Sequence, residues 1–174
     1  MSTRDGESHQ QEVTSIRTTM AFAAPARRIW DGLLFYEQID ERPPLYLRVL
    51  LPVPIGTEKA DTVVGARVRC SYEGGHLVKR ITEVDPKRCY RFDVVEQTLA
   101  IGGGLVLSGG SYSLHERADG RTEVAVTTRY TQGRRPAWFW RPVEAAVCHL
   151  FHRHLLAAVR RKVEADAVPD VSSD

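Results

Sequence analysis

Alternation of apolar and polar positions dominates the middle of the chain. Over residues 63–72, Val64, Ala66, Val68, Cys70 and Tyr72 share one face, while Arg67 and Arg69 take the other. A period of two with one polar face predicts a half-buried antiparallel strand. Gly74-Gly75 supplies a turn, and residues 76–84 form the return strand, closed by Asp85-Pro86. Residues 89–97 follow, with Tyr90, Phe92, Val94 and Glu96 in phase. After Gly102-Gly103-Gly104, residues 105–116 read as a strand that Gly109-Gly110 interrupts with a bulge or sharp bend. Asp119-Gly120 is a hairpin signal, and Thr122, Val124, Val126, Thr128 and Tyr130 then alternate with Glu123, Ala125, Thr127 and Arg129.

The two ends of this meander have different periods. Residues 13–22 are rich in Thr, Val and Ile and predict a first strand. Pro25 breaks it and suits the first turn of a helix, where Ile29, Trp30, Leu33 and Leu34 form an apolar face. That pattern fades by about Glu41 and stops at Pro43-Pro44; residues 45–51 predict a further short strand and 52–62 a loop. The chain closes with a long helix over 136–164. Wound at 3.6 residues per turn, it puts Trp140, Val143, Val147, Leu150, Phe151, His154 and Ala158 on one stripe, with Arg141, His149, His152, Arg153 and Arg160 opposite. The stripe is expected to lie on the concave side of the sheet.

Composition narrows the field. The 174 residues suit one domain with a sizeable core, and 43% hydrophobic with 26% charged content is ordinary for a globular chain. The 24 basic and 22 acidic residues leave a net charge of +2, so no basic face argues for nucleic acid. No apolar run reaches the roughly 20 residues of a membrane span, and residues 1–12 carry no apolar leader core, so the cytoplasm is the expected compartment. Residues 1–12 and 165–174 are expected to be disordered, leaving 13–164 as the single domain. Cys70, Cys89 and Cys148 are few, odd in number and widely spaced, which predicts thiols and not a disulfide framework or zinc site.

The order of elements, together with certain local strings, resembles a known superfamily. Ala24-Pro25-Ala26 with Ile29-Trp30, residues 81–86 ending in Asp-Pro, and Gly109-Gly110-Ser111-Tyr112-Ser113-Leu114 followed by Gly120-Arg121-Thr122-Glu123-Val124 carry the likeness. They resemble the START-like (SRPBCC, birch-pollen-allergen-like) superfamily, and within it the polyketide cyclase/dehydrase and lipid-transport group. The resemblance implies an α+β helix-grip fold: a curved antiparallel sheet of six to seven strands around a long C-terminal helix, with short helices after the first strand. It also implies a hydrophobic small-molecule ligand such as a lipid, isoprenoid or polyketide. It brings no family-wide catalytic motif and no cofactor.

Candidate chemistry is sparse. His154, on the apolar stripe, is the candidate acid–base or ligand-binding group, or else a histidine capping the core through a carbonyl or water. Tyr72, Tyr90, Tyr112 and Tyr130 present apolar rings with polar tips, and Phe92, Val147 and Phe151 complete the expected lining. Glu96 shares the phase of Tyr90 and Phe92; it either enters the lining or sits in water at the strand end. His149, His152 and His154 lack the geometry for a shared metal ion, and no His-Glu-x-x-His, P-loop or Gly-x-Ser-x-Gly motif occurs. Trp138, Phe139 and Trp140, beside Arg134, Arg135 and Arg141, either staple the helix to the sheet or make a transient membrane contact.

Three function classes therefore stand. The first is a noncatalytic carrier or sensor of a hydrophobic molecule. The second is a cyclase or dehydratase using His154 with Tyr112 or Tyr130. The third is a membrane- or protein-interaction module. Oligomeric state is not legible.

Overall fold

The computed structural model describes residues 12–34, 54–58, 62–101, 104–132 and 136–165. The elements run β1 (Val13–Phe22), α1 (Ala26–Leu34), β2 (Pro54–Thr57), β3 (Arg67–Tyr72), β4 (Gly75–Asp85), β5 (Cys89–Gln97), β6 (Val106–Glu116), β7 (Thr122–Thr131) and α2 (Ala137–Ala165). The strand expected at 45–51, the helical tail beyond 34 and nearly all of both expected disordered ends lie outside the described residues. The loop expected at 52–62 instead contains β2, which pairs with β3 through Gly56–Ser71 and Thr57–Cys70.

Seven antiparallel strands form one curved sheet in the order β1-β7-β6-β5-β4-β3-β2. Consecutive hairpins build β2 to β7, and β1 returns to pair with β7 along its full length, from Val13–Thr131 to Phe22–Thr122. The turn glycines act as their sequence context demands: Gly74 and Gly120 adopt φ of 89° and 79°, where a side chain would be strained.

Besides an irregularity at Ile55 in β2, three bulges break the period of two among the described strands. Residues 94 and 96 face 79 and 78, so Val95 is the extra residue in β5. Residues 81 and 83 face 92 and 91, which leaves Thr82 extra in β4, and Ser108 is likewise extra in β6 opposite β7. Gly109 and Gly110 lie beside this last bulge because nothing larger fits. A Cβ on Gly109 would come 2.4 Å from the Phe92 carbonyl oxygen, and one on Gly110 would come 2.9 Å from the Phe92 ring.

The core sits where α1 and the second half of α2 meet β1, β6 and β7. Phe22, Ile29, Trp30, Leu33, Leu114, Val124, Val126, Leu155, Leu156, Val159 and Val163 bury together. Gly32 allows the close approach of the helices, since a Cβ there would meet the Val159 methyl at 3.2 Å. The start of α1 is held by β6: Glu116 accepts a hydrogen bond from the Ala26 N–H at 2.9 Å, satisfying an otherwise unpaired helix donor. Thr122 donates to the Ala24 carbonyl at 2.7 Å and fixes the break between β1 and α1.

Candidate functional site

The middle of the sheet differs from its flanks. Val68 on β3, Phe92 on β5 and Tyr112 on β6 point to the same side as buried Ile81 and Leu114, yet they are only half-buried. Tyr90 stacks against Tyr112 with centroids 6.1 Å apart and tilts against Phe92 at 6.0 Å. Phe92 stands opposite Gly110 and Ile81, and the absence of a glycine side chain leaves the ring its room. The backbone of α2 makes its main approach to β1 and α1. Side chains of the middle strands that face this side thus stay half-buried.

One charge enters this face. Lys79 alternates with Leu77 and Ile81, both buried, so it lies on the inner side of β4. Its ammonium stands 5.0 Å above the centre of the Phe92 ring, a cation–π arrangement in which the ring's negative face replaces part of the lost hydration. The stem is half-buried between Val68 and Val94, its cross-strand partners.

A second apolar cluster lies at the other end. Leu77, Leu99, Ile101, Leu105 and Tyr130 are buried, and Ile16, Tyr72, Val94, Leu107 and Cys148 pack against them. Gln97 binds this cluster's loop to itself: its amide donates to the Leu99 and Leu105 carbonyls and accepts from the Leu107 N–H, each at 2.9 Å. The Tyr130 hydroxyl is buried without a hydrogen-bond partner. Burial raises its pKa, with Cys148 and Glu144 adding to the effect. Cys148 is pushed up to about 11 by burial and then by Glu144, so it stays a thiol.

Between the two clusters, α2 is latched to the sheet by polar groups. His152 is fully buried. Its Nδ1 lies 2.9 Å from the Thr18 hydroxyl and its Nε2 lies 2.8 Å from the Thr128 hydroxyl. Thr18 also meets His149 Nδ1 at 2.7 Å, so its single proton serves one imidazole while its lone pair serves the other. One ring nitrogen of neutral His152 donates and the other accepts. Burial, followed by the nearby His149, lowers the pKa of His152 to about 4. Both nitrogens are therefore engaged, and the ring is uncharged at neutral pH.

No family model matches the sequence, and no curated protein matches it. Solved structures do match the coordinates. The Zhui aromatase/cyclase from Streptomyces sp. R1128 is similar at a TM-score of 0.63 and 16% identity, over 93% of this chain and 100% of that one. A START superfamily protein from Mycobacterium smegmatis gives 0.61 at 13% identity, covering 87% and 97%. Ara h 8.0201 gives 0.58 at 15% identity, covering 88% and 99%. The chain has the START-like helix-grip fold. The helix-grip expectation drawn from the motif order is thus met; seven described strands fall within the expected six to seven, although β2 was not among the strands read from the sequence.

Within the helix-grip frame, the expected site residues separate into groups. Tyr90, Phe92 and Tyr112 come together at the centre of the sheet, and Phe151 packs against the first core. Tyr72 and Tyr130 belong to the second cluster. Val147 and His154 are half-buried on α2. Of the two readings of Glu96, the lining one is corrected and the one in water holds: it is exposed and pairs with His76 at 2.7 Å on the outer side. The bulge at Val95 explains this, because one extra residue reverses the face of everything after it.

The helical phase needs a second correction. The buried side of α2 is His152, Leu155, Leu156, Ala158, Val159 and Val163, while Val143 and Leu150 are exposed. His152, expected on the polar side, is the histidine at the centre of the interface. The inner stripe begins with Glu144, Cys148 and His152, so counting apolar residues drew the phase away from it. The aromatic start of α2 is corrected as well. Trp138 and Phe139 are exposed, which excludes the stapling role for them.

Sequence reasoning also passed over Lys79 and the two threonines. Lys79 had a usable signal, its period-two phase with Leu77 and Ile81. Thr18 and Thr128 had none beyond lying in alternating strands. Among the described residues, no group of three or more His, Cys, Asp or Glu is placed to hold a metal ion, and no helix is long and apolar enough to cross a membrane.

Proposed function

We propose that this chain binds a hydrophobic small molecule between the centre of its sheet and α2. The observation that carries the reading is the half-exposure of Val68, Phe92 and Tyr112, side chains that face inward among fully buried neighbours. In a solid core such residues lose nearly all contact with solvent. Their chemistry selects the guest. Apolar rings and methyls favour an apolar body, and the positive charge of Lys79 over the Phe92 ring favours an anionic end. Binding is the better-supported reading than catalysis. The buried histidine is committed to two hydroxyls, and Glu96 faces away.

Titration with Nile red, followed by displacement with oleate, tests this. The wild-type chain is expected to bind the dye and release it to oleate. Val68→Phe places a ring in the occupied space and is expected to weaken dye binding about tenfold with little change in thermal midpoint. If the space is solid, the same substitution overpacks it, lowers the midpoint and shows no dye effect, and the proposal fails. Lys79→Met is expected to weaken oleate while sparing oleyl alcohol.

A further inference from the structure

The outer side of α2 is apolar where water should meet it. Trp138 is 76% exposed, Phe139 51%, Val143 45% and Leu150 42%. Phe139, Val143, Ala146 and Leu150 are spaced i, i+4, i+7 and i+11, so they form one stripe on the side of the helix away from Cys148 and His152. The aromatic groups brace one another: Trp138 meets Phe139 edge-on at 6.0 Å, and Phe139 meets Trp140 at 5.2 Å. On the same side the helix continues with exposed Arg153 and Arg160, against Glu164 as the one exposed acid beyond Leu150 on the described helix.

We propose that this face docks on an anionic lipid surface. Exposed tryptophan and phenylalanine suit the boundary between headgroup and acyl chain, where an amphipathic ring is half solvated. The arginines then reach phosphate and carboxylate headgroups. Charge decides between a bilayer and a second copy of the chain. A second copy brings the same mainly basic flank to the contact, whereas an anionic bilayer brings the opposite charge. The inference stands apart from the ligand site, since it uses the opposite side of α2.

Sedimentation with vesicles tests it. Phosphatidylcholine vesicles carrying about one-third phosphatidylserine are compared with phosphatidylcholine alone. The full chain is expected to co-sediment with the anionic vesicles about tenfold more strongly, and to be released as salt rises. The double variant Phe139→Ser/Leu150→Ser is expected to lose this binding while keeping its thermal midpoint and its Nile red affinity. Equal binding to both vesicle types, or wild-type binding by the double variant, would overturn the proposal. Sedimentation velocity without vesicles closes the alternative: a monomer is expected, and a dimer that the double variant dissolves would assign the stripe to a second copy instead.

Discussion

His152 is a fully buried imidazole held by two hydroxyls, and this sets how the molecule responds to acid. Its pKa is about 4 in the folded chain against an ordinary 6.5, so the unfolded chain takes up a proton first. The contribution is complete above the unfolded value, is lost as pH falls through the window between the two, and levels off below the folded one. The loss is about 3 kcal/mol at most. Urea midpoints measured across that window should fall more steeply for the wild type than for His152→Gln, and parallel profiles would refute the assignment. Thr18→Val leaves ring nitrogens of two histidines without their partner and should cost about 1–3 kcal/mol. Glu96→Gln is the contrasting case. Its exposed pair with His76 contributes within about 0.5 kcal/mol, and Nile red binding should not change.

Strand geometry carries more weight at the scale of elements than any single contact. The ring of Phe92 occupies the space over Gly110 that a side chain would take, and the Thr127 carbonyl lies 2.8 Å from the same point on the other side. Gly110→Ala must therefore move either the ring or β7. It should cost about 1–3 kcal/mol by denaturant unfolding and weaken Nile red binding, because the displaced ring belongs to the proposed lining. Much of this level was legible in the sequence. Gly109-Gly110 marked the irregular place in β6, and Asp119-Gly120 and Gly74-Gly75 marked their turns, because turn chemistry is local. The extra residues at Thr82 and Val95 were not legible. They arise from how β4 and β5 pair, and nothing in either strand alone announces them.

Taken whole, the described residues pack more tightly on one flank than over the central strands. Beside α1 and β1, helix α2 is sealed by Leu155, Leu156, Val159 and Val163, while over the central strands the inward side chains keep contact with solvent. A guest held over the central strands binds the folded chain and not the unfolded one. At about a hundredfold excess over its dissociation constant it should add about 2.7 kcal/mol. For a chain of this length that raises the thermal midpoint by about 5–10 °C, measurable by calorimetry with oleate. An unchanged midpoint at saturation would count against the central strands as a binding site.

Apart from β2, which was read as loop, the order and type of the described elements were settled by the sequence itself, since a period of two, a period near 3.6 and glycine-bearing turns are all written in neighbouring residues. The helix-grip architecture was implied by the resemblance that this order and the local strings carry. The facing of α2 was decided only by the tertiary structure. The helix is apolar on most sides, and Glu144, Cys148 and His152 occupy the inner stripe where apolar residues were expected, so periodicity fixed no unique phase. The same is true of Glu96, turned outward by one inserted residue, and of His152, whose burial depends on hydroxyls 134 and 24 positions away. Local pattern determines what a segment is, and the partner it packs against determines which of its faces is hidden.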